Sequence, residues 1–325
     1  RDHSAAWQAQ VPRSRKRKLK RKRTRRPVPN LLSVDRMFDV VVDDSIRVSP
    51  PAVLYHYTNW DGARGILTSQ HFRARAHQFT NDAAELKTAD DVVLDVARDL
   101  RGGVSGIVGN VLDLFLEKFP DMSVGHIMTV YLACFSMARD DPEQWRRYGE
   151  NGHGVCLGIR VLDEPGPVSP EFGSTLVKVE YSESSLRESV KRSFHQLLSL
   201  VARAELTRQN VELGLNALNR VAAFTSIAAK QPQWAVEQEF RHVTVLHKNS
   251  TITPEYLECD GKRVPYLRVL VRAGGKRIAL AEIVIGPDQD PVEAMGRMQA
   301  ILGDAGYQPN DPEYPRIELS HMRTS

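Results

Sequence analysis

Cysteine is scarce. The 325-residue chain has three, Cys134, Cys156 and Cys259. Their odd number and wide spacing exclude a disulfide framework and a paired Cys-x-x-Cys zinc site. Cys134 and Cys156 lie in apolar runs, where buried thiols are expected. Long hydrophobic runs are also missing. None approaches the roughly 18–20 residues that a membrane span needs, and no apolar signal core follows the basic N-terminal stretch. A cytoplasmic protein of a reducing compartment, with no membrane partner, is expected. No glycine-rich nucleotide fingerprint, P-loop or His-Glu-x-x-His occurs. His71 and His77 have no partner at ligand spacing, so no metal is expected. No internal repeat is visible.

Hydrophobic residues make up 42% of the chain, which supports a packed core. The net charge of +4 conceals an asymmetry. Residues 13–26, RSRKRKLKRKRTRR, hold 11 Lys or Arg and no acid. Residues 1–30 carry 12 basic residues against one acidic, while the rest holds 32 against 39 and is mildly acidic. Such a run buries no apolar area and is expected to be disordered. It suits contact with nucleic-acid phosphates through residues 13–26, or a localisation signal. The first Met is Met37, so a third reading places residues 1–36 outside the native protein. The division expected is a basic tail, 1–36, and one catalytic-type domain, 37–325.

The body interleaves strands and helices. A strand is expected at 52–57, followed by a short helix with Thr58 and Asp61 as a capping-box-like start. The segment QHFRARAHQFTNDAAEL reads as extended, leading into a helix over 83–101 that Asp82 and Glu85 would cap. A second helix covers 106–118. IMTVYLACFSMA, 127–138, reads as a central buried strand. Pro142 begins a helix, a glycine-rich turn follows, and then a strand at 154–161. A half-buried strand is expected at 175–182, a helical region over 183–229 broken near 207–210, and a strand over 234–247. YLRVLV and RIALAEIVIG read as a hairpin-like pair turned by Gly274 and Gly275. A helix at 291–304 and a strand at 315–320 end the chain. Few strand–helix–strand units have crossover length. The fold class expected is α+β, with a mixed or mostly antiparallel sheet and an inserted helical layer.

Four groups of residues could carry chemistry. In LYHYTNW, His56 can donate and accept hydrogen bonds to a ribose diol, and Tyr57 can stack on a base. A strand-end His and a capping Thr58 are the structural alternative. Trp145 and Tyr148 share a helix face beside Arg146, Arg147 and the glycine turn. They could receive a phosphorylated aromatic ligand, or simply pack. In WAVEQEFR, Glu237, Glu239 and Arg241 would project from one strand face. A carboxylate there could stabilise an oxocarbenium-like transition state. A solvated ion pair is the alternative. Asn81, Asp82 and Glu85 could contact ligand or cap a helix.

LYHYT, FTNDAAE, ACFSMARDDPEQWRRYGENGHGVCLGI, VKVEYS, KQPQWAVEQEFRHV and AEIVIGP together resemble a bacterial family, domain of unknown function 2971, in the family's order over about residues 52–290. Arg146 stands where that family carries a small or polar residue. The family is in turn similar to ADP-ribosyltransferases. Tyr55-His56-Tyr57-Thr58 matches their Tyr-His-x-Thr start, Ser136 their second-strand Ser, and Glu237-Gln238-Glu239 their Glu-x-Glu. The His start and the Glu-x-Glu end belong to different subclasses. The resemblance implies an ADP-ribosyltransferase-like sheet with NAD as substrate. His56 and Thr58 would hold the ribose, and Tyr57 or Tyr148 would stack on nicotinamide. Glu239 would stabilise the developing cation, Glu237 would orient the acceptor, and Arg241 or Arg147 would bind pyrophosphate.

Three functions follow as expectations. The first is an NAD-dependent ADP-ribosyltransferase or NAD glycohydrolase, in the manner of a phage-defence or toxin effector, with a protein or nucleic-acid acceptor. The second is a nucleic-acid-binding or -processing effector resting on residues 13–26. The third is a non-enzymatic nucleotide sensor.

Overall fold

A computed structural model describes residues 51–79, 89–121, 128–161, 174–247, 250, 252–259, 261–269 and 277–322. The basic tail, Asn81, Asp82, Glu85, Gly274 and Gly275 lie outside the described residues. In chain order the elements are β1 (Val53–Thr58), α1 (Trp60–Ser69), β2 (Phe72–Ala76), α2 (Asp90–Arg101), α3 (Gly106–Lys118), β3 (Met128–Ser136), α4 (Pro142–Tyr148), β4 (Val155–Arg160) and β5 (Ser174–Lys178). They continue with α5 (Glu183–Val201), α6 (Arg208–Ala228), β6 (Glu239–His247), β7 (Glu255–Cys259), β8 (Lys262–Val269), β9 (Leu280–Ile285), α7 (Pro291–Asp304) and β10 (Arg316–Leu319).

Capping chemistry sets several boundaries. Asp141 accepts from the backbone N–H groups of Glu143 and Gln144, both at 3.0 Å, with Pro142 at the first helical position of α4. Asp290 and Pro291 start α7 in the same way. Thr207 accepts from the N–H of Asn210, which divides the expected 183–229 helical region into α5 and α6. The cap of α1 is Asn59 rather than Thr58: its side chain accepts from the N–H of Gly62 at 2.8 Å.

The ten strands form one mixed, mostly antiparallel sheet in the order β10-β9-β4-β1-β3-β2-β8-β7, with β6 on β3 and β5 on β6. Among the described strands only β9 and β10 run parallel, joined across α7. The expected α+β class with an added helical layer is therefore correct. On one sheet face, α1 and α7 cover Leu54, Phe72, Phe135 and Leu157. On the other, Ala223, Ile227 and Ala228 of α6 cover Val130, Leu132, Val177 and Val243, and Trp145 of α4 packs with Tyr55, Tyr57 and Cys156. Beyond α6, the helices α2, α3, α5 and α6 enclose their own apolar cluster around Phe115, Phe194 and Leu218.

Two expectations fail. YLRVLV and RIALAEIVIG do not pair: β8 lies between β2 and β7, and β9 between β4 and β10. The true hairpin is β7–β8, turning through Gly261 at φ +71°. The segment expected as a strand from 234 begins instead as a 3-10 turn, Pro232–Glu237, followed by Gln238 in the left-handed region at φ 45°. The strand starts only at Glu239.

The decisive feature is a split on one edge of β3. β6 pairs with the whole length of β3 on its other edge. On the split edge, β1 pairs at Ser136 and β2 at Leu132 and Tyr131. Between them β1 turns away to β4 and β2 to β8, so the edge of Ala133–Phe135 carries no strand.

Candidate functional site

His56 occupies the split. Its Nδ1 hydrogen-bonds the Cys134 carbonyl at 2.9 Å, where a strand partner would otherwise sit. The ring reaches across to β2, meeting Phe72 edge-on at 5.2 Å. Burial lowers its basicity and the Cys134 carbonyl partly restores it. Strand alternation turns Tyr55 and Tyr57 to the α4 face. Their hydroxyls are engaged there. Tyr55 donates to Glu282 at 2.9 Å and Tyr57 to the Ala138 carbonyl at 2.9 Å, and the Tyr57 ring meets Trp145 at 4.8 Å. Burial and Glu282 push Tyr55 up to about 12. Both tyrosines and the fully buried Trp145 are packing residues, which removes the stacking role expected for Tyr57 and the ligand role expected for Trp145. Thr58 ends β1; a Cβ on Gly62 would stand 2.1 Å from its Oγ1.

On the β6 side, the structure brings together five of the expected residues. Glu237 and Glu239 are 3% and 5% exposed, so the solvated ion-pair alternative is excluded. Lys230, which the sequence reading missed, bonds Glu237 and lies 3.0 Å from Oε2 of Glu239. Arg241 donates to both oxygens of Glu239 at 3.0 and 3.1 Å, and to the Ile227 carbonyl at 2.6 Å. Burial alone would raise the Glu239 carboxyl, but Arg241 and Lys230 hold it at about 2. Tyr148 donates to Glu237 at 2.5 Å, and Ser136 donates to the Glu237 carbonyl at 2.7 Å. Tyr181, also missed, accepts from the Glu239 N–H at 2.9 Å. Lys230 and Tyr181 both fall within motifs quoted above, but nothing local to them signals their reach.

Cys134, expected to be buried, is exposed. Desolvation nevertheless raises its thiol, and Glu239 raises it further. Cys134 adjoins Glu239 on one side and the β1–β2 split on the other. Cys156 is buried as expected.

The two arginines expected to hold pyrophosphate are engaged. Arg241 is 1% exposed and spent on Glu239. Arg147 pairs with Glu143 at 2.6 Å and lies 4.6 Å over the Trp234 ring. The glycine turn is a packing device, because Gly154 and Gly286 lie directly against backbone. Among the described residues no group of three or more His, Cys, Asp or Glu side chains could hold a metal, and no helix is long and apolar enough to cross a membrane.

Residues 144–242 match the model of a family described as proteins of unknown function, DUF2971. The match begins in α4 and ends in β6, so it holds Trp145, Tyr148, Lys230, both glutamates and Arg241 but neither strand of the split. No curated protein and no solved structure matches the chain. The resemblance to domain of unknown function 2971 thus stands over the segment that builds the carboxylate half of the site.

Proposed function

We propose that the chain binds NAD at the split in β3 and breaks its nicotinamide–ribose bond, acting as an NAD glycohydrolase or ADP-ribosyltransferase. One observation carries this reading: an ionised Glu239 adjoins the exposed Cys134, where β1 and β2 part. In the reaction the C–N bond breaks and nicotinamide leaves neutral with the electron pair. The positive charge passes to the ribosyl carbon. A carboxylate held ionised stabilises that charge without a reorganisation cost. Water or an acceptor nucleophile then forms the new bond and gives up a proton. In this reading His56 would hold a ribose hydroxyl, and Tyr148 fixes Glu237 next to Glu239.

The test is nicotinamide release by the full chain, with and without cell lysate as acceptor source. Glu239→Gln is expected to lower the rate by about a hundredfold or more, with a melting curve to establish that it folds. A folded Glu239→Gln protein with undiminished release overturns the mechanism. A second reading, a nucleotide sensor without turnover, has its own support. Lys230 and Arg241 already neutralise Glu239. Ligand binding without release would establish it.

A further inference from the structure

We infer that Arg75 on β2 is the anchor for the phosphate groups of the ligand; the inference rests on the nucleotide reading of the split. β2 alternates buried and exposed residues, Phe72, Ala74 and Ala76 inward, Arg73 and Arg75 outward. Phe72, Ala74 and Ala76 join the core under α1 and α7. Arg73 and Arg75 therefore rise from the opposite face, the one that carries Cys134 and Glu239. Arg75 stands level with Leu132 on β3, at the point where the split opens. It is close enough to His56 to lower that imidazole's basicity.

Among the described residues Arg75 has no carboxylate partner. Its neighbours on this face are accounted for. Arg73 lies 5.3 Å over the Tyr266 ring, and Arg268 pairs with Glu255, which also accepts from Tyr266 at 2.8 Å. Among the described residues three guanidiniums, those of Arg73, Arg75 and Arg268, thus face one carboxylate, Glu255, on this side of the split. A guanidinium without a carboxylate partner beside the unpaired β3 edge suits the planar, bidentate recognition of phosphate oxygens. The ligand then lies along this face, with its phosphates on Arg75 and the reacting ribosyl carbon toward Glu239.

The experiment uses the full chain and Arg75→Gln, which changes an exposed side chain and is expected to fold. ADP-ribose binding is measured by calorimetry. Nicotinamide release is measured from NAD and from nicotinamide riboside, which keeps the scissile bond but lacks the pyrophosphate. Arg75→Gln is expected to weaken ADP-ribose binding and raise KM for NAD by about tenfold, to leave riboside cleavage unchanged, and to be partly rescued by Arg75→Lys. Equal ADP-ribose affinity in both proteins overturns the assignment and leaves the proposed function intact. An equal loss on both substrates also overturns it, since the riboside has no phosphate to read. If the unaltered chain neither binds ADP-ribose nor releases nicotinamide, the proposed function fails and takes this inference with it.

Discussion

Lys230 places one ammonium between two carboxylates that the fold buries. The arrangement is stable only as a set, because a buried charge without its partner bears the full desolvation cost. Lys230→Met is therefore expected to cost roughly 3–5 kcal/mol. The sign with pH follows from Glu239. In the native site its carboxyl is held at about 2, so its contribution is complete above the ordinary carboxylate range and lost only in strong acid. Without Lys230, the repulsion between Glu237 and Glu239 is no longer offset and the Glu239 carboxyl moves up. The deficit of the variant then grows as pH increases from 5 to 8, as measured by urea unfolding at both values. An equal deficit at both would mean that Lys230 acts through packing. His242 poses the opposite case. It is buried on β6, its ring nitrogens without a hydrogen-bond partner among the described residues, and burial lowers its pKa to about 4. The unfolded chain takes up this proton near pH 6.5 and the folded chain only near 4, so stability falls as pH drops through that window, by about 3 kcal/mol at most. His242→Leu is expected to remove this acid sensitivity and to lose no stability at pH 7. A variant with the same acid slope would show that His242 finds a partner when charged.

Within single elements, the turn linking α4 to β4 meets β9 backbone to backbone. Gly286 donates to the Gly154 carbonyl at 3.0 Å. A Cβ on Gly286 would lie 2.1 Å from the Gly152 oxygen, and one on Gly154 2.4 Å from the Thr58 oxygen. No flexible side chain is available to yield, so Gly286→Ala is expected to destabilise by roughly 2–4 kcal/mol. Gly296→Ala, in α7 with nothing near its Cβ, should stabilise by about 0.5–1 kcal/mol. Thermal melts of the pair decide whether close approach or backbone entropy governs these glycines. The sequence pattern made the glycine turn, the helix start at Pro142 and the break near 207–210 visible, because those signals are local. It misplaced the start of β6 because Trp234-Ala-Val-Glu-Gln-Glu alternates like a strand. The chain bends there for a tertiary reason: the Glu237 carbonyl accepts from both Ser136 and Gln144, at 2.7 and 3.2 Å. Asp260-Gly261 between two strand-like runs is a stronger hairpin signal than Gly274-Gly275. The split in β3 had no signature in any one segment, because it is a property of three strands that share one edge.

Across the whole molecule, the apolar interior divides into a part beneath the sheet and a part among helices, and α6 belongs to both. Its Leu215, Leu218 and Val221 pack with α2, α3 and α5. Toward its C-terminus Ile227 and Ala228 pack on Val130 and Val243 of the sheet, and the Ile227 carbonyl accepts from Arg241. A helix shared in this way makes loosening of the helical layer costly to the carboxylate half of the site. The expected consequence is one cooperative unfolding transition. Phe194, fully buried and 5.6 Å edge-on from Phe115, offers a probe far from the sheet. Phe194→Ala should cost about 3–5 kcal/mol. The described tryptophans, Trp60, Trp145 and Trp234, all lie outside the helical cluster, so their fluorescence follows the sheet side, while far-ultraviolet dichroism is dominated by the long helices. In one cooperative unit both signals shift to lower denaturant together and keep a common midpoint. If dichroism moves and fluorescence stays, the helical layer unfolds on its own, and α6 is a tether rather than a shared core element.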